Sequence, residues 1–405
     1  MTDALNRDSI RVLFAGGGTG GHLMPGAATA EALRRVLPSA RSLFLVSERK
    51  AERQCVPALA GFETAHEPAA PREGALDKVL FPARSLRAAG RALDVVRGFR
   101  PHVIVGLGGL RSIGPALIGR ALGIRTVLFE ANAIPGAAVR LLAPVADCVM
   151  VQWARAADRM KARRVVAAGN PVRSRLFEGR REPATRRLGL APGRRTLLVL
   201  GGSQGALSLN HTVHEALRLI YAKGGDLQVL HLTGVDHLPA ALEWMNSLPA
   251  ASYRPIGFFH QMEDAYAAAD FVLSRCGAST LAELTALGLP SILVPYPHAA
   301  AGHQSANAEV LRDAGAALVI AQGELTAERL AQAVLTLASD EGPRAQMAEC
   351  ARRLGRPRAA LTVAVELAVM AGFGAQVSPS VMAVTSLERL RRHQESVSTK
   401  PLQAA

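Results

Sequence analysis

Two short segments join a phosphate-sized backbone cradle to side chains that can act on a ligand. GGGTGGH (residues 16–22) and GGSQGA (residues 201–206) each follow an apolar run and open an alanine- and leucine-rich stretch. A glycine turn at a helix start lets backbone N–H groups approach an anion, and the helix dipole adds favourable potential for phosphate. Thr19, Gly20 and Gly21 supply such a cradle in the first turn, and Ser203, Gln204 and Gly205 in the second. Ser203 is equally suited to cap the helix that follows it. His22 stands directly after the first loop, where an imidazole can take a proton from an attacking hydroxyl or contact an acidic ligand. Glu130 and Asn132, in FEANAIPG, form a polar pair at the end of another apolar run. In RCGASTLAEL, Ala278, Ser279 and Thr280 open a helix after Arg275, and Glu283 follows Thr280 by three residues. That spacing is a capping box, which can be wholly structural. His303, Gln304 and Asn307, in AGHQSANA, lie past a strand-like run, at the carboxyl edge where α/β sheets bind ligands.

Elements that position these residues follow from the hydrophobic pattern. Strands are expected at 11–15, 42–46, 102–105 and 126–129, and again at 196–200, 227–232, 271–274 and 291–294. Helical stretches separate them, so each set reads as a parallel sheet covered on both faces. The Arg-, Pro- and Gly-rich stretch at 169–195 marks a change of domain. The reading is a domain over 1–173, a second over 174–374 closed by a helix at 359–370, and a mobile tail over 375–405.

Charge is unevenly spread: residues 1–172 carry 24 Lys/Arg against 13 Asp/Glu, the remainder 23 against 20. A basic first half suits an anionic surface or substrate. Aromatic content of 4% argues against a base-stacking platform, so no nucleic-acid partner is expected. Cys55, Cys148, Cys276 and Cys350 are scattered without metal spacing. No apolar run approaches the ~20 residues of a spanning helix, and the first ten residues lack a secretory core. Within 76–100, Val79, Leu80 and Phe81 are flanked by Lys78, Arg84, Arg87, Arg91, Arg97 and Arg100, a pattern suited to an anionic membrane surface or to a helix with a basic outer face.

The sequence resembles the MurG family of peptidoglycan glycosyltransferases across roughly residues 10–370. GGGTGGHLMPG, GLGGLRSIGP, FEANAIPG, GNPVR, GGSQGALSLN, RCGASTLAEL, GLPSILVPYP and HQSANA occur in the family's order. The resemblance implies the GT-B fold, an α/β architecture of two Rossmann-like, doubly wound domains facing across a cleft. It implies inverting transfer of N-acetylglucosamine from UDP-N-acetylglucosamine, held by the second domain, to undecaprenyl-pyrophosphoryl-N-acetylmuramyl pentapeptide, held by the first. The enzyme would sit peripherally on the cytoplasmic face of the inner membrane, against its anionic surface. Carried over by motif, Ser203, Gln204, Gly205 and Asn210 belong to the donor block, as do Ala278, Ser279 and Thr280 at its diphosphate. Glu283 falls on the ribose, the backbone of Phe259 on uracil, and Gln304 with His303 on the sugar hydroxyls, with Asn307 in the same block. Arg173 of GNPVR joins the substrate set. Thr19, Gly20, Gly21, His22, Glu130 and Asn132 face the acceptor, with His22 and Glu130 as the catalytic candidates.

Two departures stand out: Phe129 and Ala131 replace the family's usual histidine and glutamine, and Leu110 replaces an aromatic residue. No Asp-x-Asp pair ends a strand, so helix dipoles and backbone amides are expected to stabilise the departing diphosphate without a metal or cofactor. Three other readings fit part of the chain. Gly16, Gly18 and Gly21 satisfy a dinucleotide fingerprint with Glu48 as ribose ligand, pointing to an NAD-dependent oxidoreductase. A UDP-sugar 2-epimerase would share both glycine loops. A basic membrane scaffold would leave the second half idle.

Overall fold

A computed structural model describes residues 9–17, 20–47, 59–67, 75–202 and 205–385, with 75–86 by their backbone. The chain forms two compact units, with breaks after Arg173 and after Pro357.

The first unit is built on seven parallel strands: β1 (Arg11–Ala15), β2 (Arg41–Ser47), β3 (Glu63–Glu67), β4 (Val103–Gly106), β5 (Arg125–Glu130), β6 (Cys148–Val151) and β7 (Val165–Val166). Their order is β3-β2-β1-β4-β5-β6-β7. RVLFA is apolar on both faces after its first residue and is buried throughout, as a central strand sandwiched by helices must be. Leu13 pairs with Leu43 on one side and Ile104 on the other, while Phe14 stacks on Phe44 at 4.8 Å.

The second unit repeats the scheme with β8 (Thr196–Leu200), β9 (Gln228–Leu232), β10 (Tyr253–Ile256), β11 (Phe271–Ser274), β12 (Ser291–Leu293) and β13 (Ala317–Val319), in the order β10-β9-β8-β11-β12-β13. Both units close the amino edge alike. Asp147 accepts the Thr126 N–H at 2.8 Å and Asp270 accepts the Thr196 N–H at 2.8 Å. In each sheet the chain winds one way from its first strand and then back the other way. The switch points therefore lie between β1 and β4 and between β8 and β11, where open α/β sheets leave a crevice at their carboxyl ends.

The helix Ala359–Met370, expected to close the second domain, belongs to the first unit. AALTVAVELAVM is apolar nearly all round, so it has to be buried on most sides. It packs along helix Gly20–Val36, and its Val363, Ala364 and Leu367 join Val12, Phe14 and Leu23 in one core. Its buried Glu366 pairs with Arg164 at 2.9 Å. The second unit thus ends at Pro357, not at 374. Of the tail expected from 375, Val377 is buried in that same core, and 386–405 lie outside the described residues. No helix among the described residues is long and apolar enough to cross a membrane.

Candidate functional site

In the second unit the sequence-predicted residues collect where β8, β11 and β12 end. Gly202 and Gly205 both adopt positive φ (91° and 76°), and Gly205 N–H donates to the Gly202 carbonyl at 3.0 Å. A Cβ on Gly205 would overlap the Thr233 carbonyl oxygen, so this turn accepts only glycine. Ser203 and Gln204 lie outside the described residues. Helix Leu207–Ala222 starts from Ala206 and helix Ala278–Leu287 from Gly277, neither with a side-chain cap. Two helix starts beside the switch point therefore have N-cap residues, Ala206 and Gly277, that supply no capping side chain. The capping box does not form, because Thr280 already lies inside the first turn. Glu283 is instead half-buried, and its Oε2 accepts the hydroxyl of buried Tyr266 at 2.6 Å.

Arg275, at the end of β11, is buried. Its guanidinium donates to Gln322 Oε1 at 2.6 Å, to the Val294 carbonyl at 3.3 Å and to Ser208 Oγ at 3.3 Å, and it lies 5.7 Å from the Tyr296 ring centre. Burial lowers its pKa, and no carboxylate pairs with it among the described residues. An enclosed cation with only neutral acceptors leaves charge for an anion to neutralise. Gln304 ties the loops after β11 and β12 together: its Oε1 accepts the N–H groups of Cys276 and Tyr296, each at 3.0 Å. Its Nε2 makes no hydrogen bond among the described residues. His303, half-buried, opens the same helix, His303–Asp313, after Gly302.

Two residues expected among the substrate contacts lie in the core. Asn210 and Asn307 are fully buried and spend their amides internally. Asn307 donates to the Cys276 carbonyl at 3.2 Å, and Asn210 donates to the Thr233 carbonyl at 2.9 Å. Both brace the loops. Phe259, just past β10, is half-buried and lines a cavity of about 530 Å³ with Arg175, Arg187, Gln261, Glu263 and Asp264. Arg175 pairs with Glu263 at 2.6 Å and Arg187 grips Asp264 through both guanidinium arms.

In the first unit the loops after β1 and β4 meet backbone to backbone. Gly16 has φ of 106°, and a Cβ there would stand 2.5 Å from the Gly108 carbonyl oxygen. His22, half-buried in the first turn of helix Gly20–Val36 that holds Gly20 and Gly21, packs against Gly108. Thr19 lies outside the described residues. Glu130 is buried at the end of β5, and it is not an open base. Its Oε1 accepts the Asn132 N–H at 2.8 Å and the Asn132 amide at 3.1 Å, while Oε2 accepts the Gly136 N–H at 2.7 Å. Burial raises its pKa and these bonds pull it back. The carboxylate thus shapes the loop that carries half-buried Asn132. Phe129 sits in the core and Ala131 packs on it, so the departures from the usual histidine and glutamine leave no polar group there. Arg173, half-buried where the chain leaves the first unit, has its Nε enclosed without a partner among the described residues. Tyr266 and Gln322, which hold Glu283 and Arg275, had no sequence signal, being 17 and 47 residues from the groups they hold.

One titration follows directly. His231 in β9 is fully buried, and desolvation lowers its pKa from near 6.5 to about 3. A depressed folded pKa contributes stability above the unfolded value that is lost as pH falls from 6.5 towards 3. The expected slope is up to about 1.4 kcal/mol per pH unit. Urea titrations at pH 7 and pH 5, read by Trp244 fluorescence in a Trp153→Phe background, should show the stability gap between the protein and its His231→Gln variant narrowing. A constant gap would remove the assignment.

The sequence matches the glycosyltransferase family 28 N-terminal domain over residues 12–151 and the C-terminal domain over 196–363. It is 39% identical over 380 residues to a Desulforudis audaxviator protein, covering 90% of this chain and all of that one. That relative is named UDP-N-acetylglucosamine–N-acetylmuramyl-(pentapeptide) pyrophosphoryl-undecaprenol N-acetylglucosamine transferase. Among solved structures, Acinetobacter baumannii MurG superposes with a TM-score of 0.69 at 26% identity, over 89% of this chain and 99% of that one. A Neisseria meningitidis UDP-GlcNAc 2-epimerase shares the fold at 11% identity, TM-score 0.62, over 89% of this chain and 99% of its own. The paired glycine loops, both domain matches and the full-length relative agree, and the chain belongs to the MurG family within glycosyltransferase family 28.

Proposed function

We propose that this enzyme transfers N-acetylglucosamine from UDP-N-acetylglucosamine to undecaprenyl-pyrophosphoryl-N-acetylmuramyl pentapeptide, the lipid I to lipid II step. The observation that carries the donor half is Arg275, a buried cation that pairs with no carboxylate among the described residues, lying between two helix starts that lack side-chain caps. A nucleoside diphosphate supplies the missing negative charge. Ala278, Ser279 and Thr280, with Ser203, Gln204 and Gly205, receive the diphosphate. Glu283 takes the ribose diol, the Phe259 backbone the uracil, and Gln304 with His303 the hexosamine hydroxyls. Arg173 adds a donor to the substrate set. On the acceptor side Thr19, Gly20, Gly21 and Asn132 bind. In the transfer the acceptor hydroxyl attacks the anomeric carbon, the bond from that carbon to UDP breaks, and the hydroxyl proton passes to His22, since the oxygens of Glu130 are committed to its loop. Calorimetric titration tests the donor half: micromolar binding of UDP-N-acetylglucosamine over UDP-N-acetylgalactosamine and NAD is expected, and binding of NAD alone would refute it.

We infer further that the first unit docks peripherally on the anionic cytoplasmic face of the inner membrane. Helices Ala75–Phe99, Ile113–Ala121 and Ala137–Leu142 pack in series. They and their flanks expose Leu110, Leu117, Leu122 and Leu141, with Arg87, Arg91, Arg120 and Arg140 also exposed. Lys78, Val79, Leu80, Phe81 and Arg84 lie outside the residues whose side chains are described. Apolar side chains among basic ones suit an anionic headgroup layer. Changing Leu110, Leu117 and Leu141 together to Ser should reduce flotation with anionic liposomes at least about tenfold; undiminished flotation would sink this surface.

A further inference from the structure

Three buried polar side chains of the second unit have no place in the donor contacts: Asn210, His231 and Tyr253, all essentially closed to solvent. Buried polar groups cost stability unless hydrogen-bonded, and these three satisfy one another in a fixed direction. Asn210 Nδ2 lies 2.9 Å from the Thr233 carbonyl, which can only accept. Its Oδ1 therefore faces His231 Nε2 at 3.0 Å, so Nε2 carries the proton. His231 Nδ1 is then bare, and it accepts the Tyr253 hydroxyl at 2.8 Å. The chain runs one way, from Tyr253 in β10 through His231 in β9 to Asn210 in the first turn of helix Leu207–Ala222, and ends on Thr233.

The Thr233 carbonyl is also the atom on which Gly205 rests so closely that no Cβ fits. Gly205 lies another 2.9 Å, measured from that same Cβ position, from the His237 ring. One backbone oxygen is thus held by the Asn210 amide and abutted by the glycine loop. Apolar side chains of similar volume would fill this core, but only directional bonds fix the distance between the helix start and the sheet.

We propose that Asn210, oriented by His231 and Tyr253, is a positioning residue that sets, through the loop at Gly205, where the first turn of helix Leu207–Ala222 presents its N–H groups to a nucleoside diphosphate. This rests on the UDP-sugar reading of the second unit. The residue acts through the loop and touches no ligand.

The test separates the phosphate part of binding from the nucleoside part. Inhibition constants of UDP and of uridine against UDP-N-acetylglucosamine are measured for the full chain and for the Asn210→Leu and Tyr253→Phe variants, with melting temperatures alongside. Asn210→Leu should weaken UDP tenfold or more and raise the KM for UDP-N-acetylglucosamine in parallel. Uridine should change less than twofold, and the acceptor KM should hold. Tyr253→Phe, which keeps the ring and its burial, should shift the UDP-to-uridine ratio the same way by a smaller factor, and it decides the matter if Asn210→Leu does not fold. A folded variant with an unchanged ratio, or one that weakens both ligands equally, overturns the positioning role alone. Unaltered protein that binds UDP no better than uridine overturns the donor reading as well.

Discussion

Replacing Arg275 by methionine is expected to lower kcat/KM for transfer by about 10²- to 10³-fold, the range seen when one donor to a developing oxyanion is removed. The reason is the environment of its guanidinium: Gln322, Ser208 and backbone carbonyls hold it in place and none of them neutralises it. As the glycosidic bond to UDP breaks, negative charge grows on the diphosphate, and a cation already desolvated and oriented stabilises it without reorganising. The apo protein gains little from that charge. Desolvation of the cation and loss of its hydrogen bonds act in opposite directions, so the melting temperature of the variant should move by only a few degrees. Steady-state kinetics paired with thermal melts read both effects. Arg275→Lys should recover part of the rate, because it restores a charge but not the planar fork. A methionine variant that melts far lower yet turns over normally would make Arg275 a structural strut.

A second substitution should be as damaging by another route. Gly205→Ala places a methyl group into the Thr233 carbonyl while demanding a left-handed backbone at φ of 76°. Overpacking and left-handed strain together amount to about 2–5 kcal/mol. Most of that falls on the donor loop, so the KM for UDP-N-acetylglucosamine should rise more than about tenfold, by roughly 1.4 kcal/mol per decade. Gly202→Ala is the control: its φ is 91°, but none of the described residues lies within 4 Å of its added methyl group. Only the conformational strain remains there, about 1–2 kcal/mol. Equal defects in the two variants would show that steric contact with Thr233 is irrelevant.

Strands with unbroken apolar runs were legible in the sequence because burial on both faces leaves little choice of residue; β1, β8 and β11 fall where their patterns predict. Edge strands were not. ETAHE in β3 is polar because it pairs on one side only, with β2, and YRPI in β10 tolerates Pro255 for the same reason. The helix Ala359–Met370 was visible as an element but not as a member of the first unit, since a segment apolar on all sides carries no mark of which core it enters. Among the site residues, motif position distinguished poorly between contact and support. Asn210 and Asn307 stand in the right blocks, yet they brace loops from within the core. TLAE has capping-box spacing, but its helix begins two residues earlier, and that frees Glu283 to meet Tyr266 across 17 positions. Glu130 reads as a strand-end charge and is in fact the acceptor for its own turn.

The return of the chain to its first unit after Pro357 makes the second unit an insertion within the first. During synthesis, everything needed for the β8–β13 sheet leaves the ribosome as one continuous stretch. The β1–β7 sheet, begun earlier, lacks Val363, Ala364 and Leu367 until the whole second unit has been made. The unit whose translation starts first is therefore the last to complete its core, and a chain released early would expose the face of helix Gly20–Val36 that Ala359–Met370 is meant to cover.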